Sequence, residues 1–558
     1  MSKTRFSRPF AFLLLGVMCS LPIQAQTVKI KIIETADLHG AFFPNMGKVC
    51  NYVKQQRQEY GENLILLDAG DILQGEPCSY LYNNIYTSSQ NIAAKVINYM
   101  KYDAQTFGNH DIETGHNVYD KWASETNCPM LGANVIDTKT GQPYLHPYAI
   151  FERNGIKIAV IGMLTPTISN WLSHYLWEGL EFEDIATSCR KWIQTIRQQE
   201  NPDFIIGLFH SGLKGGIVNN RCCENAAEQV AREVEGFDAI MYGHDHHKYC
   251  TTVSNSNGKA VWLLNPSNKA RNIAELTITV TGKHHTLTGN LKETENLQPD
   301  NEYMQYFADD IQQIDEYMTT PVGELTDDIY TRDAFAGCSA YVTFVNKFQL
   351  DFTHADISVT APLIYNKIIG KGTVCTQDMY KFYPFENKLN IIEMTGTEIR
   401  NYLEYSYAKW IKTMTSSADD IFLLNGDRFA TPTYNFDSAA GINYTVDITK
   451  PEGQRIVIQS MSDGTPFLPE HTYKVAMNSY RCNGGGEILT KGAGILKKDI
   501  GKRIIYQSER DIRSYLTEFV RQQKTITPQI DHNWKFIPES IAAPAIKRNM
   551  QQLFGKVE

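Results

Sequence analysis

Residues 108–115 read GNHDIETG and follow directly on the strand-like run YDAQTF. None of Gly, Asn, His and Asp is a good strand former, so the chain leaves its strand abruptly at Gly108. Two readings compete. A tight turn suits Gly and Asn, which tolerate left-handed backbone angles. A catalytic loop suits the same residues, with Asn109 on a metal and His110 facing a substrate. The choice between them depends on what the neighbouring strands deliver at their ends.

From residue 27 to about 290, apolar runs alternate with amphipathic stretches. VKIKII precedes ETADLHG, NLILL precedes DAGD, and AQTF precedes GNHD. IKIAVIGM precedes LTPT, DFIIGLF precedes HSG, and FDAIMY precedes GHDHH. Between them lie helix-like segments such as KVCNYVKQQRQEYG and EDIATSCRKWIQTIRQQ, with apolar residues at helical spacing. Strand, polar loop and helix in repetition predict an α/β layered domain, whose chemistry sits at the carboxyl ends of the strands.

Those ends supply Asp37 and His39, then Asp71, then Asn109 and His110, then His210, and last His244 and His246. Carboxylates, an amide oxygen and imidazoles form a mixed set suited to Zn, Mn, Fe or Co. With His110 set aside as facing the substrate, seven donors exceed one tetrahedral site and suit two divalent metal ions, about 3.5–4 Å apart, sharing one carboxylate. Singly each fragment is weak: D-x-H is common, GD is usually a turn, and one His after a strand is usually structural. Five fragments ending five strands of one domain make coincidence a poor explanation. Asp68 reads as a turn or supporting acid. Asp245 and His247 are expected to face away from the metals, because alternate residues of an extended segment point to opposite sides.

In this order, TADLHG, DAGD, GNHD, HSG and GHDHH resemble the calcineurin-like metallophosphoesterases. More narrowly the chain is similar to the secreted 5′-nucleotidase and 2′,3′-cyclic-nucleotide phosphodiesterase family. The resemblance implies one metal on Asp37, His39 and His246, a second on Asn109, His210 and His244, and Asp71 bridging both. It implies hydrolysis without a covalent nucleophile. His110 protonates the leaving oxygen or stabilises its charge, and Glu113 orients His110 and favours its charged form. The sequence departs from the family where Glu113 replaces the usual Asp or Asn, and where His246 stands at a position often held by Gln.

A polar, acid-rich segment at 291–320 reads as a linker with one exposed helix. A second α/β region follows over 321–535, as a nucleotide-recognition domain. By the same resemblance, Phe385 in YPFEN and Tyr480 in NSYRCNGGGE stack a nucleobase between them. Phe and Tyr number 25 and 30, so most are packing residues and the choice of these two rests on the resemblance. The GGDG and Arg-bearing loop typical of the 5′-nucleotidase branch are replaced by GGGE and ISVTAPLIYN. That favours 2′,3′-cyclic nucleotides and 3′-nucleotides as substrates, with a 5′-nucleotidase as the alternative. A protein that keeps the fold but only binds nucleotides is the third reading, against which the complete ligand set counts.

The first 25 residues carry Lys3, Arg5 and Arg8, then the apolar run FAFLLLGVMCSL, then Ala25 at a cleavage position. This is a secretory leader pattern, with the periplasm as destination. The run is too short to span a bilayer, and Met18 before Cys19 is a poor match to a lipidation site. The net charge of −9 argues against a nucleic-acid polymer as partner. A small nucleotide is the expected partner, and oligomeric state is not read. Ten of the 11 cysteines follow the leader, an even number compatible with disulfides in an oxidising compartment.

Overall fold

The computed structural model describes residue 1 and residues 27–555. Of the leader read at residues 1–25, all but residue 1 lies outside the described residues, Cys19 included. The chain passes through β1 (Thr27–Thr35), β2 (Leu64–Asp68), β3 (Ala104–Thr106), β4 (Met130–Leu131), β5 (Tyr148–Arg153) and β6 (Ile156–Leu164). It continues through β7 (Phe204–His210), β8 (Ala239–Tyr242), β9 (Lys248–Ser254), β10 (Ala260–Pro266), β11 (Asn272–Thr281) and β12 (His284–Glu293). These build two six-stranded sheets, ordered β12-β11-β1-β2-β3-β4 and β9-β10-β8-β7-β6-β5. Strands β1 to β4 run parallel. So do β6, β7, β8 and β10. All six strand-like runs read from the sequence are strands.

Side-chain alternation explains the layering. Ile32, Ile65, Leu67, Val160 and Leu208 share the core between the two sheets. Their neighbours Ile33, Leu64 and Leu66 pack outward against helices Gly47–Tyr60 and Ile92–Met100. Ala159, Ile161 and Phe209 pack outward against Ile185–Gln199 and Ala227–Glu233. The result is helix, sheet, sheet, helix. Sheets covered on both faces require continuous apolar strands, which is why NLILL and DFIIGLF are apolar at nearly every position.

The segment 291–320 departs from the expected single exposed helix. It forms two helices, Asn301–Tyr306 and Ala308–Thr319. Tyr303 and Phe307 are wholly buried in the first core, with Ile311 and Ile314 packed beside them. These four residues form one apolar stripe at helical spacing, and the acids around them mask it in the sequence.

The second domain is centred on β13 (Ile357–Thr360), β14 (Lys388–Thr395), β15 (Ser438–Ala440), β16 (Thr472–Asn478) and β17 (Ile504–Asp511). Their order is β15-β13-β16-β14-β17. One core includes Ile392, Tyr402 and Trp410, and another includes Phe348, Leu389 and Leu516. The tail helix Glu539–Phe554 adds Ala542, Ala545 and Met550 to the first of these, so this folded unit extends past residue 535. No described helix is long and apolar enough to cross a membrane. All ten described cysteines are free thiols, so the even count does not signal pairing here.

Candidate metal centre and cleft

The ends of β1, β2, β3, β7 and β8 converge. Potential ligand atoms of Asp37, His39 and His246 lie within 4.8 Å of one another, and so do those of Asp71, His210 and His244. Asp71 reaches both groups: its Oδ2 is 3.1 Å from His210 Nε2 and 4.0 Å from His39 Nε2. His246 Nε2 stands 3.3 Å from Asp37 Oδ1 and 3.0 Å from His39 Nε2. Asn109 Oδ1 is 3.1 Å from His210 Nε2. The seven residues singled out as ligands are thus brought together.

The backbone at these positions is unusual. Asp37, His39, Asp71, His244 and His246 have φ of 51°, 48°, 56°, 84° and 59°. Left-handed conformations in non-glycine residues cost of order 1–3 kcal/mol each and cluster at functional sites. Gly108 has a different reason for being glycine. Its φ is −105°, which any residue adopts, but a Cβ there would strike the Asp71 carboxylate, with Cγ at 2.6 Å. The GNHD and DAGD loops therefore nest back to back, and the chain turns into a short helix, Asn109–Glu113.

Neighbouring groups fix each donor. The Nδ1–H of His39 donates to the Gln74 carbonyl (2.9 Å), and that of His210 donates to Ala69 (2.7 Å). A carbonyl only accepts, so both rings carry a proton on Nδ1 and turn Nε2 toward the cluster; against the opposing effect of burial, Asp71 raises the His210 pKa to about 9. Burial lowers the pKa of His39 to about 4 despite the pull of Asp71, so its neutral, ligating form is favoured. His244 Nε2 instead lies 3.2 Å from Glu224 Oε1, to which it donates when protonated. Asp37 accepts the His244 amide at 2.9 Å. Burial would raise the Asp71 pKa, but His210 and His110 hold it well below the usual carboxylate range.

Asp111 is wholly buried and accepts four backbone N–H groups. Its Oδ2 takes Gly108 (2.7 Å) and Asp71 (2.8 Å), and its Oδ1 takes Ile72 and Leu73 (both 2.9 Å). One side chain thereby ties together the two loops that carry Asp71 and Asn109. Asp68 supports from beneath: it accepts Thr35 Oγ1–H at 2.6 Å and the Gly70 amide at 3.1 Å, and burial raises its pKa to about 7. Asp245 bonds to Leu213 and Asn265, away from the cluster, and His247 is exposed.

His110 borders the same space. Its Nδ1 is 2.7 Å from Glu113 Oε2. A cleft of about 920 Å³ joins Asn109 and His110 to Phe385, Tyr434 and Tyr480 of the second domain. Phe385 and Tyr480 each form a T-shaped pair with Tyr434, at centroid distances of 6.2 and 6.0 Å and interplanar angles of 82° and 88°. Tyr480 lies over Gly485, where a Cβ would come within 2.5 Å of its ring. Asp111 sits inside GNHDIETG, and its adjacency to His110 is a usable signal. Glu224, Tyr434 and Arg481, which bonds the Tyr434 carbonyl at 2.8 Å, carry no local pattern.

Comparison with known proteins finds a family match for each of the two halves of the chain. Residues 30–248 match the calcineurin-like phosphoesterase model, and residues 320–491 match the 5′-nucleotidase C-terminal domain. The chain is 24% identical to a 2′,3′-cyclic-nucleotide 2′-phosphodiesterase/3′-nucleotidase of Yersinia enterocolitica, over 95% of this chain and 92% of that protein. It is 33% identical to a 5′-nucleotidase of Vibrio cholerae over 40% of this chain and 41% of that one. Its fold is similar to that of a 5′-nucleotidase precursor from Thermus thermophilus, with a TM-score of 0.62, 19% identity, and coverage of 92% and 100%.

Proposed function

We propose that this chain, which belongs to the calcineurin-like phosphoesterases that carry a 5′-nucleotidase-type C-terminal domain, hydrolyses 2′,3′-cyclic nucleotides and 3′-nucleotides with two divalent metals. One observation carries the reading. Two clusters of metal-competent donors share Asp71 at the floor of a cleft whose far wall bears exposed aromatic rings.

The donors fit the metals. Imidazoles held in one tautomer, anionic carboxylates and an amide oxygen suit borderline divalent ions. Asp37, His39 and His246 would hold one, Asn109, His210 and His244 the other, with Asp71 between. When bound, two such ions neutralise phosphate oxygens and lower the pKa of water. The rest belongs to the chain's own residues. His110, held by Glu113 through Nδ1, presents its other nitrogen to the departing ribose oxygen as a proton donor. Phe385 and Tyr480 grip the base, which holds the phosphoester over the floor of the cleft.

Substrate choice follows from two supports. The cyclic-nucleotide phosphodiesterase relative matches along nearly the whole chain, whereas the Vibrio 5′-nucleotidase matches along 40% of it. The position where the 5′-nucleotidase branch carries Asp is Gly486, packed against Asn435 and Arg481 with no room for a side chain. We assign the catalytic domain to 27–290, the connector to 291–320 and the recognition domain to 321–535 plus the tail helix. The leader pattern supports export to the periplasm. The test is kcat/KM for metal-reconstituted enzyme on 2′,3′-cyclic, 3′- and 5′-nucleotides of one base. The first two should lead; a preference for the 5′-nucleotide overturns the assignment.

A further inference from the structure

We infer that Tyr434 forms a third wall of the base slot and favours purines over pyrimidines. The inference rests on the reading of Phe385 and Tyr480 as the stacking pair.

The three rings line one cleft, and on the stacking reading they form three sides of a box. Tyr434 is nearly perpendicular to both others, at 82° and 88°, and its centroid is about equally far from each, at 6.2 and 6.0 Å. Phe385 and Tyr434 are 37% and 38% exposed, although large aromatic side chains are normally well covered. All three face the cleft that also holds His110. A base lying flat between Phe385 and Tyr480 turns its edge toward the third ring. Aromatic faces carry negative charge and ring edges carry positive charge, so an edge meeting a face is attractive. A purine, with two fused rings, extends further from the ribose than a pyrimidine and reaches this wall more closely.

The box is built to hold its shape. Arg481 is 2% exposed and adjoins Tyr480 in the chain. Its guanidinium donates to the Tyr434 carbonyl (2.8 Å), the Gly485 carbonyl (2.6 Å) and Asn435 Oδ1 (3.2 Å). It also makes a two-pronged ion pair with buried Asp437, at 2.8 and 3.0 Å. One planar group thus joins the loop carrying Tyr434 to the loop beneath Tyr480, and lysine cannot reproduce that fork. A backbone anchored in this way beneath a side chain that stays 38% exposed along the cleft is prepared for a ligand rather than for packing.

The test measures KM and kcat on 3′-AMP and 3′-CMP for wild type, Tyr434→Ala, Tyr434→Phe, Phe385→Ala and Tyr480→Ala. Tyr434→Ala should raise KM for 3′-AMP about 3- to 10-fold, the range expected for one edge-to-face contact. It should leave kcat little changed and lower the 3′-AMP to 3′-CMP ratio of kcat/KM. Tyr434→Phe, which keeps the ring, should restore that ratio. If Phe385→Ala and Tyr480→Ala raise KM while Tyr434→Ala leaves the ratio unmoved, the third wall is refuted and the stacking pair stands. If none of the three alanine variants raises KM, the stacking pair itself fails and this inference with it.

Discussion

Replacing Asp111 by Asn should destabilise the fold by about 2–4 kcal/mol and weaken metal retention together. The wild-type carboxylate accepts four backbone N–H groups, two on each oxygen, with no solvent exposure. In Asn one of those oxygens becomes an NH2 donor. Whichever way the amide turns, two buried N–H groups face a donor instead of an acceptor. Each stranded group costs about 1–3 kcal/mol, so the pair costs about 2–6 kcal/mol. A neutral amide also avoids the burial of a charge, which offsets part of that loss. The released amides are either Gly108 and Asp71 or Ile72 and Leu73. Both choices loosen a loop that carries proposed ligands. Urea unfolding of metal-stripped protein gives the stability, and metal titration gives the affinity. A wild-type unfolding midpoint refutes the clamp. Lost stability with unchanged metal affinity refutes its connection to the centre.

Other outcomes follow from the same geometry. Asp71→Asn should impair both metal positions together, measured as metal content alongside turnover; two retained metals with a near-normal rate contradict the bridge. His110→Ala should keep metal content and lower kcat by roughly 10²–10⁴-fold, with smaller losses on esters that have good leaving groups; equal losses on all esters exclude a proton-donor role. Glu386 provides a test by pH. Burial and then Asp511 raise its pKa from 4.5 to about 7, against the opposing charge of Arg513. Folded protein keeps this proton where the unfolded chain has lost it, so the stabilisation is present at low pH and fades as pH rises through about 7. Glu386→Gln should therefore gain melting temperature relative to wild type between about pH 5 and pH 8; parallel melting curves across that range refute it.

Much of the catalytic domain is legible in the chain because its strands are covered on both faces. Burial on both faces makes each strand a compact apolar run, and each run ends on residues that have no structural reason to be there. Asp37, His39, Asp71, Asn109, His210, His244 and His246 stand out for that reason. What supports them is hidden. Glu224 meets His244 only because a two-stranded excursion, Gly215–Val218 with Cys223–Asn225, folds back over the centre. No local pattern around Glu224 signals it. Tyr434 is one tyrosine among 30, and its significance is its angle to two rings that are distant in sequence. Phe385 and Tyr480 emerged from family likeness rather than from periodicity. The edge strands and the tail helix lack the strong apolar period of the central elements. The buried stripe of Tyr303 and Phe307 is masked by the acids around it.

The most direct test of the central claim is a metal titration of stripped protein, with phosphodiesterase activity on a 2′,3′-cyclic nucleotide followed at each addition of Mn or Zn. Activity should be negligible without metal and should rise to saturation only when two equivalents are bound per chain. Saturation at one equivalent contradicts the paired centre built on Asp71. Full activity in protein shown to be metal-free contradicts the metal chemistry altogether.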